Sequence, residues 1–168
     1  MIENLIKIAK LAGEQILEIY GQNPATWDVT DKSDTSPLTI ADRKANDTIC
    51  KALESDFPEI PIISEENKNQ EYEERKSYSK FFLVDPLDGT KEFLKRNGEF
   101  TVNIALIENG KPVMGVVYAP AINRMFFASK GIGAYEIMKD GRRVHMKASS
   151  FSQTDEGLRV VCSRSHLS

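Results

Sequence analysis

Two aspartates, Asp85 and Asp88, stand three residues apart in LVDPLDGTKEF (residues 83–93), at the end of an apolar run and just before Gly89, Thr90 and Lys91. Carboxylates held this close repel when both are ionised, so one takes up a proton unless a cation neutralises the pair. No basic residue stands between them. An all-oxygen donor set suits magnesium, manganese or calcium better than zinc. The spacing departs from the calcium-loop pattern D-x-[DN]-x-[DN]-G, which favours catalytic magnesium over structural calcium. Gly89 and Thr90 add a permissive backbone and amides suited to an anion if a helix begins there, so metal beside amides points to phosphate. The same residues also fit an Asp-rich turn whose side chains cap their own backbone.

Two other segments bear on that choice. Ser64-Glu65-Glu66 also closes a short apolar run, so its carboxylates could reach the same sheet edge; taken alone it reads as a solvated surface pair. Thr39 and Asp42 open a helical pattern with the spacing of a capping box, a role that does not exclude a second one.

The elements that must position these groups follow from periodicity. Leu5, Ile6, Ala9, Ala12, Ile16, Leu17 and Tyr20 recur at helical spacing, with Gly21 as a stop. Residues 21–37 are rich in turn formers and predict one short strand or none. A second helix is predicted from near Thr39, carrying Ala41, Ala45, Ile49 and Leu53, and Pro58 closes it. Ile60–Ser64 reads as a short strand, and NKNQEYEERKSYSK as an exposed loop or short helix. Strands follow: FFLVD, then a hairpin over residues 100–120 turning at Asn109-Gly110, then RMFFAS, GAYEI and RVHMK. Phe81, Phe82, Phe100, Phe126 and Phe127 are predicted core and His145 structural. After the polar residues 148–157, LRVVCS predicts a final strand. The fold class is α+β, two N-terminal helices on one face of a largely antiparallel sheet. Residues 1–157 form the N-terminal domain in this reading, and 158–168 the first strand of a C-terminal α/β domain.

Composition limits the alternatives. The chain has 168 residues, 40% hydrophobic and 28% charged, with net charge -3 and interspersed signs, so it has no electrostatic footprint for nucleic acid or an anionic membrane. Cys50 and Cys162 match no zinc spacing and no disulfide framework, and read as buried thiols of a reducing compartment. The N-terminus has neither a signal-peptide core nor a membrane span, which makes cytoplasm the default.

Taken together, SPLTIAD (36–42), ISEE (63–66), LVDPLDGTKEF (83–93) and GEFTVNIALIENGKPVMGVVYAP (98–120) resemble the lithium-sensitive, magnesium-dependent phosphatases of the inositol monophosphatase superfamily. The similarity runs over nearly the whole chain. Lys91-Glu92-Phe93 and Ser163-Arg164-Ser165-His166 look most like its bacterial 3'(2'),5'-bisphosphate nucleotidase branch, which serves sulfate assimilation; inositol monophosphatases tend to have Thr-Asn-Phe after Asp-Gly-Thr. The resemblance implies an αβαβα sandwich, of which this chain covers the first α+β portion. It implies that Glu65, Asp85 and the carbonyl of Leu87 hold one magnesium, that Asp85 and Asp88 help hold a second, and that a complete site takes two or three ions. Asp42 and Thr90 would orient and deprotonate the attacking water, and the amides of Gly89 and Thr90 would meet the phosphate. Lys91 is open between a second substrate phosphate and a solvated lysine, and Arg164, Ser165 and His166 between substrate contact and a tail. The expected substrate is a small phosphorylated nucleotide, adenosine 3',5'-bisphosphate giving AMP, with a sugar phosphate as the alternative; lithium should inhibit, and a homodimer is left open.

The family carries a further metal-binding aspartate, in a Trp-Asp motif, beyond residue 168; Trp27-Asp28 is in an unrelated context. An incomplete second metal site and weak turnover by this chain alone are therefore expected. Two rivals remain. A haloacid-dehalogenase-like phosphatase would use Asp85 as nucleophile, but its aspartates are closer together and open the first strand. A non-catalytic metal-binding or dimerisation remnant is the other.

Overall fold

The first helical pattern forms α1, Ile2–Tyr20, with Leu5, Ile8, Ala9, Ala12, Ile16 and Ile19 on one buried stripe. The second forms α2, Ile40–Asp56, and ends two residues before Pro58. Its capping box is complete: Thr39 Oγ1 accepts the amides of Ala41 and Asp42 at 3.1 and 3.4 Å, while Asp42 Oδ2 accepts the Thr39 amide at 2.8 Å. The computed structural model describes residues 1–31, 37–67, 71–152, 154, 156 and 157. The predicted strand LRVVCS, Cys162, Arg164, Ser165 and His166 lie outside the described residues.

Between the helices, β1 (Thr30–Asp31) and β2 (Pro37–Leu38) pair antiparallel after a single 3-10 turn, Pro24–Thr26. The sequence predicts at most one strand there, because pairs two residues long leave no periodic signal. After α2 come β3 (Ile62–Ser64), a one-turn exposed helix α3 (Tyr72–Arg75), β4 (Lys80–Asp88) and the short helix α4 (Thr90–Leu94). The meander β5 (Thr101–Glu108), β6 (Lys111–Ala119), β7 (Arg124–Ser129), β8 (Gly133–Ile137) and β9 (Arg143–Met146) completes a seven-stranded sheet ordered β3-β4-β5-β6-β7-β8-β9. Among the described strands of this sheet only β3 and β4 run parallel; every other neighbouring pair is antiparallel. The class is α+β, as the sequence predicts.

Both long helices pack on one face. α1 lies across β5, β6 and β7, and α2 across β3 and β4. Close approach of α1 depends on Gly13, where an added Cβ would stand 2.4 Å from the Tyr118 ring. The sheet answers with Phe82, Val84, Val102, Ile104, Leu106, Val116, Met125 and Phe127, all buried at alternate positions. Two expectations fail here. Phe81 and Phe126 are half-buried and out of phase with that alternation, so they lie on the opposite face of the sheet. Phe82, Phe100 and Phe127 are core as predicted, and His145 packs edge-on against Tyr135.

Among the described residues no element covers that opposite face. Cross-strand register aligns Leu83, Ala105, Gly115, Ala128, Ala134 and Met146 in one row across six strands. Small residues in the middle of the row leave an open groove of about 940 Å³, floored also by Ile63, Val117 and Phe126. Among the described residues no helix is long and apolar enough to cross a membrane.

The alternation gives a test of phase. Phe82→Ala should cost about 3–5 kcal/mol in urea unfolding, the usual loss for a buried aromatic. Phe81→Ala, one residue away on the open face, should cost about 1 kcal/mol or less. Equal losses would contradict the register.

Candidate active site

The parallel pairing of β3 with β4 builds the site. Parallel strands end at the same sheet edge, so the residues after Ser64 and after Val84 emerge side by side. The Glu65 amide donates to the Val84 carbonyl at 3.1 Å, which locks Glu65 beside Asp85. The prediction that Glu65 reaches the edge of the Asp85 strand is thus met in the fold.

One correction concerns the strand itself. The sequence places Asp85 and Asp88 in a loop leaving FFLVD, whereas β4 continues through Pro86 to Asp88. Proline is tolerated because pairing with β3 stops at Val84, so its missing N–H deprives no neighbour on that side. On the other side, Asp85 pairs with Asn103 and Asp88 with Thr101, so β4 carries one extra residue. That bulge turns the strand end, with Asp85 half-buried on the groove face and Asp88 exposed. Asn103 Nδ2 donates to Asp88 Oδ2 at 3.1 Å, and Thr101 Oγ1 donates to Asn103 Oδ1 at 3.1 Å. Sequence reading missed Asn103; its signal is a carboxamide inside the apolar strand TVNIALI.

Asp85 is the perturbed group. Burial, then the charges of Glu65 and Asp88 and a hydrogen bond with the Glu65 carboxyl, push it up to about 7; the Leu87 amide acts weakly the other way. Its Oδ1 is buried with no hydrogen-bond partner among the described residues. Among the same residues no three acidic, histidine or cysteine side chains converge on one point. An orphaned carboxylate oxygen on Asp85 and a second carboxyl touching the same group fit a hard divalent cation as an additional neutralising member.

A second centre lies one turn beyond β4. Asp42, 1% exposed, receives the Thr39 hydroxyl on Oδ2 at 2.6 Å, and the Thr90 hydroxyl faces Oδ1 at 3.1 Å. Thr90 Oγ1 also lies 3.2 Å from the Leu87 carbonyl, so its one proton has two acceptors. Burial raises Asp42, only partly offset by these hydrogen bonds. The capping aspartate of α2 is therefore also the partner of Thr90, 48 residues away in sequence.

Gly89 joins the two centres. Its φ of +97° is left-handed, and a Cβ there would come within 2.9 Å of the Glu99 carbonyl, so only glycine suits the turn. The following helix is held by Phe93, fully buried and 4.7 Å from the Trp27 ring, with Tyr20 and Phe100 around it. Lys91 is exposed, one residue past Thr90. The structure thus brings Glu65, Asp85 and Asp88 to one edge and Asp42 to Thr90, with Leu87 and Gly89 between.

Comparisons with known proteins give the chain a family. The sequence profile described as the inositol monophosphatase family matches residues 1–167. A Shigella flexneri protein named 3'(2'),5'-bisphosphate nucleotidase CysQ is 49% identical over 132 residues, 78% of this chain and 52% of that protein. The Buchnera aphidicola protein of the same name is 42% identical over 166 residues, 99% of this chain and 60% of its own length. The crystal structure of CysQ from Bacteroides thetaiotaomicron superposes with a TM-score of 0.70 at 44% identity, covering 90% of this chain and 52% of that one. The chain thus spans little more than half the length of the relatives it matches.

Asp85 sets a pH dependence. Its folded pKa, about 7, stands above the ordinary 3.8, so the folded chain holds this proton more tightly than the unfolded chain. Without metal, its contribution to stability is full below about pH 4, falls as pH rises toward 7 and is lost above that. Asp85→Asn should remove the dependence and melt higher than the wild type at pH 8 without metal, by about 2–4 °C for each kcal/mol of repulsion relieved. A lower melting temperature for Asp85→Asn at pH 8 would overturn the assignment.

Proposed function

We infer the function from one premise: this chain belongs to the inositol monophosphatase family. It carries the metal-edge and water-activating half of a magnesium-dependent phosphomonoesterase that acts on a 3'(2'),5'-bisphosphate nucleotide. The preferred substrate is adenosine 3',5'-bisphosphate, hydrolysed to AMP and inorganic phosphate. The observation that carries this reading is the conjunction at one sheet edge of the Asp85–Glu65 pair, with its orphaned oxygen, and the buried Asp42–Thr90 pair. Relatives named 3'(2'),5'-bisphosphate nucleotidase support the substrate class.

Glu65, Asp85 and the Leu87 carbonyl would hold one magnesium, and Asp85 with Asp88 a second; lithium is expected to inhibit. Bound there, the ions supply charge neutralisation for the phosphoryl oxygens and a lower pKa for water. The remaining work belongs to the chain. Asp42 accepts the Thr90 proton, which leaves Thr90 Oγ1 lone pairs to accept a proton from water. Raised by burial, the Asp42 carboxylate is a stronger base than an ordinary aspartate. Water adds to phosphorus, the ester oxygen leaves with the bonding pair, and the water's proton passes by way of Thr90 towards Asp42. Asn103 restrains Asp88 at the rim. Lys91, exposed one residue past Thr90, would meet a second phosphate on the nucleotide, which would separate bisphosphates from simple sugar phosphates.

Phosphate release from adenosine 3',5'-bisphosphate, compared with inositol 1-phosphate in magnesium and with lithium added, tests the reading. Thr90→Val should lower kcat by about 100-fold or more with KM little changed, as expected for lost proton transfer. Lys91→Ala should raise KM for the bisphosphate alone. Turnover indifferent to Thr90→Val would overturn the assignment of the water-activating pair.

A further inference from the structure

We propose that Asn46 is a positioning residue that sets the Glu65 arm of the site; the proposal rests on the reading of that arm as metal-binding. Asn46 is 7% exposed and lies four residues after Asp42, so both side chains project from the same side of α2. Asn46 Oδ1 accepts the Ser64 hydroxyl at 2.6 Å and the Cys50 thiol at 3.4 Å. Its Nδ2 donates to Asn67 Oδ1 at 2.8 Å, and Asn67 Nδ2 reaches Cys50 Sγ at 3.7 Å.

Ser64 and Asn67 bracket Glu65. The Asn67 amide closes the turn onto the Ser64 carbonyl at 3.3 Å, and Ser64 Oγ accepts the Glu66 amide at 3.4 Å. One carboxamide therefore grips both ends of the four-residue turn that carries Glu65. The task requires an acceptor and a donor on a single group. An apolar residue would leave the buried Ser64 hydroxyl without its acceptor, and aspartate would offer Ser64 an acceptor while losing the donor to Asn67.

The consequence is a fixed distance between the two halves of the site. Asp42 holds Thr90, and one helical turn later Asn46 holds the Glu65 turn, so α2 fixes their separation at about 6 Å along its axis. Glu65 itself is exposed and its amide bond to Val84 fixes the backbone, so the grip on the rest of the turn sets how the carboxyl is aimed at Asp85.

The test is Mn2+ affinity of the 168-residue chain, measured from the electron paramagnetic resonance signal of free Mn2+. Asn46→Ala should weaken binding about tenfold or more, in the range seen for residues that orient metal ligands. Asn46→Asp, which keeps the acceptor for Ser64, should fall between the two and covers the case in which Asn46→Ala fails to fold. Glu65→Gln should weaken binding by itself, and Asn46→Ala added to it should cost little more, because both act through one ligand. Ala45→Gly, buried on the same helix outside the network, should lower the melting temperature and leave Mn2+ affinity unchanged. Affinity within twofold of wild type for Asn46→Ala or, if that variant does not fold, for Asn46→Asp, or additivity with Glu65→Gln, or an equal loss in Ala45→Gly, would overturn the positioning role alone. Absence of Mn2+ binding to the wild type, or indifference to Glu65→Gln, would overturn the metal reading and this proposal with it.

Discussion

Mutual repulsion of the carboxylates at the ends of β3 and β4 is the constraint around which the rest is arranged. Glu65 and Asp85 are brought together by backbone geometry, since the parallel register and the Glu65 amide set the two backbones side by side. An isolated charge in that position would shed its ionisation, and Asp85 does so in part, held far above the ordinary aspartate range. A protein selected for stability alone would gain by replacing Asp85 with a neutral isostere. Under the proposed function, a divalent cation relieves that repulsion.

The same trade governs Asp42. At the start of a helix a carboxylate is favoured by the exposed amides and the helix dipole, and here it completes the capping box. Burial opposes ionisation, and the hydrogen bonds from Thr39 and Thr90 compensate only in part. One side chain thus serves both helix initiation and the pairing with Thr90, so folding of α2 and readiness of the hydroxyl are not separable. The aromatic cluster of Tyr20, Trp27, Phe93 and Phe100 plays the corresponding part for the next segment, since Phe93 anchors α4 and thereby holds Thr90 in reach of Asp42.

What could be read from residues alone was local. The stripe of α1, the capping box of Thr39 and Asp42, the Asn109-Gly110 hairpin and the Asp-rich end of β4 each carry their signal within a few positions. What escaped depended on partners distant in the chain. Proline at position 86 argues locally for a strand end, and β4 continues only because β3 has already stopped beside it. Phe81 and Phe126 look like core by composition, and only the phase set by Phe82 and Phe127 assigns them to the open face. Asn46 in a helix interior resembles any surface carboxamide until Ser64 and Asn67 are brought to it.

The lone parallel pair in an otherwise antiparallel sheet has a further consequence for how this chain tolerates change in length. Crossing from the end of β3 back to the start of β4 takes the chain through residues 65–79, whose described residues lie outside the sheet and carry the exposed helix α3. Residues gained or lost within 71–79 change only a connection, at small entropic cost. A single residue gained or lost between Phe81 and Val84 would rotate every following side chain to the other face, sending Asp85 toward the helices and the adjacent apolar residues toward solvent. Variation in length among related chains should therefore gather in the crossover and be absent from the four residues before Asp85.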